Sequence, residues 1–179
     1  HVQVHTPGGF ARQYSLVNPP LDAPCERYVI GVKREPASRG GSQALHERVR
    51  EGDLLCVSEP HNTFALAPQA KRHLLLAGGI GVTPLLAMAR QLQHAGADFQ
   101  LCAFARSREH LAFAGALEAL APNVRLHLDD PAADARIDLR ELLALPEPGT
   151  HVYVCGPAGF MQAVQRAAAD WDEACLHRE

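Results

Sequence analysis

From His73 onward the sequence alternates short apolar runs with amphipathic stretches of helical period, and no other feature narrows the fold as much. Strands are predicted at 73–77, 99–105, 124–128 and 151–154. Helices are predicted at 84–94, 110–120 and 159–174, with a shorter one at 139–143. The last long helix sets Phe160, Val164, Ala168 and Trp171 on one face at 3.6-residue spacing. Such alternation builds a doubly wound parallel sheet, because joining two parallel strands requires a crossover, and the helices then cover both faces.

The first 68 residues have a different rhythm. Short β-like runs at 2–6, 12–17, 27–33 and 53–59 are separated by Pro7-Gly8-Gly9, Asn18-Pro19-Pro20, Gly40-Gly41 and Glu59-Pro60. One short helix is predicted at 43–49, capped by Ser42. This half reads as a small antiparallel barrel or sheet. The stretch 66–72 reads as the hinge between two domains, 1–68 and 73–176.

Composition removes several classes of function. With 47% hydrophobic and 21% charged residues, the chain is neither disordered nor fibrous. No apolar run approaches the ~20 residues of a membrane helix. The net charge of −3 carries no basic stripe, so the electrostatic footprint of a nucleic-acid binder is missing. The five cysteines, at 25, 56, 102, 155 and 175, are never closer than 20 residues, which excludes C-x-x-C and clustered iron–sulfur spacing. Their odd number suggests reduced thiols and a cytoplasmic protein. The ten histidines form no H-E-x-x-H, and no metal site is expected.

Four segments carry candidate chemistry. Leu74-Leu75-Leu76-Ala77-Gly78-Gly79-Ile80-Gly81-Val82-Thr83-Pro84 runs a strand into a glycine-rich turn and then a helix, where backbone N–H groups and the helix dipole can meet a diphosphate. Thr83 reads as the N-cap, with Pro84 at the first helical position. Pro84 stands where G-x-G-x-x-G would have its third glycine, and a tight turn without ligand is the rival reading. Val154-Cys155-Gly156-Pro157 ends the fourth strand of the alternating half. The carboxyl ends of parallel strands border the ligand crevice, so Cys155 should face it, unless it is simply a buried thiol. In the first half, Arg12-Gln13-Tyr14-Ser15 joins a phosphate-pairing cation, a stacking ring and a hydroxyl, against the reading of a plain edge strand. Arg39-Gly40-Gly41-Ser42 opens the short helix as a second anion cradle.

Taken in this order, the four segments resemble the ferredoxin–NADP reductase superfamily, across essentially the whole chain. Gly31-Val32-Lys33-Arg34, then Arg39-Gly40-Gly41-Ser42 and Leu45-His46, look like the branch of phthalate dioxygenase reductase and vanillate demethylase reductase. That resemblance implies a Rieske-oxygenase reductase with an FMN barrel, an NAD domain and a C-terminal plant-type 2Fe–2S domain. It implies that Arg12 pairs with the flavin phosphate and Tyr14 stacks on the isoalloxazine. Ser15 would hydrogen-bond near flavin N5, and Gly41 and Ser42, beside Gly40, would hold the phosphate. Gly31, Val32 and Lys33 would also border the flavin. Gly79, Gly81, Thr83 and Pro84 would take the dinucleotide diphosphate, while Cys155, Gly156 and Pro157 would border the nicotinamide. Ser15 and Cys155 are the expected catalytic pair, with catalysis mainly positioning of nicotinamide over flavin. The flavin splits a hydride into single electrons.

Arg106 and Ser107, at the end of the second strand of the alternating half, are candidates for the adenosine ribose. An acidic residue there would favour NADH, whereas Arg106 and Arg108 leave NADPH open. The branch implies NADH and FMN, with FAD as the other flavin. Leu176-His177-Arg178-Glu179 resembles the linker into a 2Fe–2S domain that the chain does not contain, through which a Rieske-type oxygenase would be served. The chain has no initiator Met and opens within a strand-like alternation, so a fragment is expected, lacking two of six barrel strands. A stand-alone flavin or ferredoxin reductase is the alternative enzyme. A short-chain dehydrogenase fails, since Tyr14, Tyr28 and Tyr153 lack a Lys four residues on. A flavin-free module that senses dinucleotide is the non-enzymatic alternative, and Arg12, Tyr14 and Ser15 weigh against it.

Overall fold

A computed structural model describes residues 1–19, 26–37, 39–130 and 136–179; Pro20 and Cys25 lie outside the described residues. The first half forms a three-stranded antiparallel sheet in the order β2-β1-β3, from β1 (Val2–Thr6), β2 (Phe10–Tyr14) and β3 (Cys56–Val57). Strand β1 matches its prediction because V-Q-V-H-T alternates strictly, burying Val2, Val4 and Thr6. Two other predictions shrink. Residues 27–33 make only one bridge, Leu16 to Ile30, and 53–59 keep only the two residues of β3. Helix α1 spans Gly41–Arg48 and starts earlier than predicted. Its N-cap is Gly40 at φ 95°, a left-handed conformation that glycine adopts without steric cost, so Ser42 lies within the first turn.

The second half forms a five-stranded parallel sheet, order β6-β5-β4-β7-β8, from β4 (Arg72–Gly78), β5 (Asp98–Ala105), β6 (Val124–Leu128), β7 (Thr150–Cys155) and β8 (Leu176–Arg178). The crossovers carry α2 (Val82–His94), α3 (Ala114–Glu118), α4 (Leu139–Leu142) and α5 (Ala158–Ala167). The expected barrel-like sheet plus doubly wound domain is therefore the observed architecture.

Three details differ from expectation. Helix α2 is capped by Gly81, not Thr83. Thr83 lies in the first turn, its hydroxyl donating to Ile80 O at 3.0 Å, and Pro84 follows it at the third helical position. The predicted helix at 110–120 is cut to α3 because Phe113 takes a left-handed conformation at φ 58°. Helix α5 ends seven residues early, yet Val164, Ala168 and Trp171 are still buried and Phe160 packs beside them.

Two apolar layers sandwich the parallel sheet. Leu75, Ala77 and Tyr153 face α2 on one side, together with Val17 and Phe64 of the first half; Leu76, Val152 and Val154 face α5 and Trp171 on the other. Tyr153 locks the hinge: its hydroxyl accepts the Ala67 N–H at 2.8 Å while its ring meets Phe64 at 6.0 Å. Among the described residues, no helix is long and apolar enough to cross a membrane.

Candidate functional site

A cleft of about 1730 Å³ opens where the first half meets the carboxyl edge of the parallel sheet. One wall carries Tyr14, Ser15, Gly31, Val32 and Lys33. The other carries Gly79, Gly81, Thr83, Arg106, Cys155, Gly156 and Pro157. Most residues singled out in the sequence thus converge from the two sheet-bearing halves of the chain. Pro84 is buried in α2 behind the turn. Ser107 turns aside, its hydroxyl within hydrogen-bond distance (2.8 Å) of His110 Nδ1.

The two strand ends on the second wall touch. A Cβ at Gly81 would lie 2.2 Å from Cys155 O and 2.7 Å from Gly156 N, so only glycine permits this approach. The junction of β4 and β7 therefore presents bare backbone to the cleft, next to the N-terminus of α2, whose first N–H, that of Val82, already donates into the Gly79–Gly81 turn. Such a surface suits an anionic group lying across the sheet edge.

Arg12, Gly40, Gly41 and Ser42 make a second cluster beyond the first wall. The Arg12 guanidinium donates to Ala11 O at 2.8 Å and lies 5.4 Å from the Phe10 ring centroid. A Cβ at Gly41 would lie 2.7 Å from Arg12 Cγ, so the side chain rests directly on the first turn of α1. That turn carries no acidic residue. A cation and a helix N-terminus thus face the same point. Burial raises the Tyr14 phenol above its ordinary pKa, with Arg12 opposing, so the ring stays neutral beside the cation.

Ser15 Oγ donates to Glu179 Oε2 at 2.9 Å, across 164 residues of sequence. The Glu179 N–H in turn donates to Val154 O at 3.1 Å, beside Cys155. Burial, reinforced by the Glu179 carboxylate, pushes the Cys155 thiol up to about 12, so it is a neutral group at physiological pH. Sequence reasoning missed Glu179 because β8 is three residues long and carries no periodic signal; the strand sets it beside Val154. It also missed the aromatic floor. Phe104 packs 5.0 Å from both Phe160 and His127, and His127 accepts the Ile137 N–H at 2.9 Å. Phe160 was assigned only to the core. Among the described residues, no three potential metal ligands gather.

A flavin-barrel-like sheet joined to a nucleotide-binding sheet, with the cleft between them, defines a ferredoxin reductase-like protein. The chain belongs to the family described as dimethylamine monooxygenase subunit DmmA-like, N-terminal domain, which matches residues 57–174. It is 50% identical to vanillate O-demethylase oxidoreductase of Pseudomonas putida, over 100% of this chain and 57% of that protein. It is 44% identical to the carnitine monooxygenase reductase subunit of Escherichia coli strain K12, over 100% of this chain and 57% of that one. The solved structure of phthalate dioxygenase reductase, described as modular for electron transfer from pyridine nucleotides to [2Fe–2S], superposes with a TM-score of 0.89. Its identity is 37%, covering 99% of this chain and 56% of that structure. The chain therefore spans little more than half the length of these relatives.

Proposed function

We propose that the chain is the flavin- and dinucleotide-binding part of the reductase component of a Rieske-type oxygenase or demethylase system. In this reading residues 1–68 hold FMN, 73–176 hold NADH, and 177–179 lead toward a 2Fe–2S domain outside this chain, which delivers electrons to the oxygenase. The observation that carries it is the convergence of Ser15, Cys155 and Glu179 where the two halves meet. The reduced thiols suit a cytoplasmic setting.

The residues present fit a flavin phosphate. Arg12 supplies the cation, the first turn of α1 supplies N–H donors without a competing carboxylate, and Gly40 and Gly41 let the Phe10 ring and the Arg12 side chain pack directly on that turn. When bound, the flavin takes two electrons from the dinucleotide and releases them singly. Tyr14 offers an aromatic face. Ser15 gives its one hydroxyl hydrogen to Glu179, so its oxygen faces a ligand as an acceptor, and donation to a flavin requires the hydroxyl to turn away from that carboxylate. Gly79, Gly81 and the start of α2 receive the diphosphate. Cys155, neutral and small, lines the nicotinamide side without adding charge, and Arg106 stands at the end of β5 near the adenosine.

Flavin titration followed by anaerobic stopped-flow reduction tests the reading. Binding of FMN with bleaching by NADH is expected. Dinucleotide binding with no flavin binding would overturn it in favour of a sensing module. A tenfold higher kcat/KM with NADPH would overturn the choice of NADH.

A further inference from the structure

Glu179, whose carboxylate meets Ser15, directly follows strand β8. This is an edge strand of three residues, paired to β7 as Val152–Leu176, Tyr153–His177 and Val154–Arg178. So short a ladder is weak alone. Its ion pair, Arg178 to Glu173 at 2.7 Å, is solvent-exposed and adds little. Leu176 packs on the core beside Val152 and Val154, and His177 adds two ring contacts. Its ring stacks on Tyr153 at 4.5 Å and 14°, and on His151 at 5.2 Å and 14°. His177 Nε2 lies 2.9 Å from His151 Nδ1, so one ring donates and the other accepts. His177 and Glu179 are two residues apart and share a face of the strand, so whatever fixes one fixes the other.

We propose that His177 is a positioning residue: by clasping His151 and Tyr153 it seats β8 and so sets the Glu179 carboxylate against Ser15, and excess protonation of the histidine pair releases both. The clasp is a property of the chain alone; its effect on electron transfer rests on the function proposed above.

The groups around the pair are few. Strand β7 supplies His151 and Tyr153, β4 supplies His73, and β5 supplies Asp98, whose carbonyl meets His73 at 3.2 Å. Glu173 and Cys175 precede β8, which itself adds Arg178 and is followed by Glu179. The stretch 66–72 contributes the neutral Ala67 N–H, and its cations Lys71 and Arg72 lie where their backbone N–H groups donate to Gly149, just before β7. Among the described residues, no carboxylate is hydrogen-bonded to either ring of the pair. The first proton leaves the hydrogen bond intact, because one ring still accepts. A second would oppose two N–H groups at 2.9 Å. Burial first, and His151 second, hold His177 below the ordinary imidazole value. A depressed histidine favours the docked strand above the ordinary pKa of about 6.5. Docking then weakens as pH falls through that value toward the lowered one.

Hydrogen exchange of the segment 176–179, corrected for intrinsic rates, reads docking without any cofactor. In the wild type, protection should fall by more than about twofold between pH 7.5 and pH 5.5, because the undocked rings take up protons that the docked pair resists. His177→Gln keeps a hydrogen-bonding side chain without the charge and should show flat protection over that range. His177→Phe keeps the stack but not the hydrogen bond, and should be flat and lower throughout. Wild-type protection constant within about twofold would overturn the proposal. So would a fall that persists undiminished in His177→Gln and His151→Gln, because another group would then be titrating. In flavin-loaded protein, the reduction rate should drop below pH 6.5 in the wild type and not in His177→Gln. If exchange behaves as expected but these rate profiles coincide, the clasp stands and the role given to Ser15 and Glu179 fails.

Discussion

Substituting Gly81 by Ala tests how the second wall of the cleft is built. The new methyl would sit 2.2 Å from Cys155 O, 2.4 Å from Cys155 C and 2.7 Å from Gly156 N. All three are backbone atoms, so no rotamer change relieves the clash. Ordinary contact begins at about 3.4 Å, so the ends of β4 and β7 must separate by about 1 Å. Forcing extra volume into a close-packed junction costs about 1–3 kcal/mol. For a chain of this size that lowers Tm by about 2–12 °C. A 1 Å displacement of a binding surface also costs about 100-fold in rate where catalysis depends on positioning. Calorimetry and dinucleotide titration measure the two effects separately. Gly159→Ala is the control: it lies in α5 with nothing within 4 Å of the added Cβ, and should stabilise by up to about 1 kcal/mol. Gly81→Ala with wild-type Tm and wild-type dinucleotide affinity would show that the strand junction is not a tight backbone contact.

Four further outcomes follow from the same geometry. Ser15→Ala should slow flavin reduction by about 10²–10³-fold while leaving dinucleotide affinity nearly unchanged, and stopped-flow rates within twofold of wild type would remove Ser15 from the chemistry. Alkylation at pH 8 should label exposed Cys56 well before Cys155, whose thiol is pushed up to about 12 and stays protonated. Glu179→Gln should speed Cys155 labelling by removing the nearby negative charge, and peptide mapping that finds Cys155 as reactive as Cys56 in the wild type would refute the burial argument. Tyr153→Phe leaves the Ala67 N–H without its partner and should cost about 1–3 kcal/mol, read as a lower urea midpoint.

The parallel sheet was legible because its strands are long and apolar and its crossovers have helical period. V-R-L-H-L at β6 and V-Q-V-H-T at β1 fall where the alternation puts them. Errors cluster where backbone conformation departs from side-chain preference. Gly40, in the left-handed region, starts α1 ahead of Ser42, and Phe113 in the same region breaks a helix that A-x-x-A-L spacing favours. Residues 27–33 look like a strand by composition but gain only one bridge, since pairing depends on a partner edge rather than on propensity. Both walls of the cleft could be read from Tyr14-Ser15 and from the two glycine turns. Their meeting at Glu179 could not, because it depends on a contact 164 residues apart, carried by a strand too short to show a period.

That separation also orders the events of synthesis. At ~5–20 residues per second, roughly 10–30 s pass between the emergence of Ser15 and that of Glu179. The local crossovers of the second half can form in that interval, as contacts of short sequence separation are made first. The hydroxyl of Ser15 and the outer edge of β7 meanwhile stay without the partners that β8 and Glu179 provide. An uncovered strand edge is a site for pairing with other chains. The nascent protein is thus exposed to misassembly at this edge until β8 emerges, and the contact between Ser15 and Glu179 can close only then.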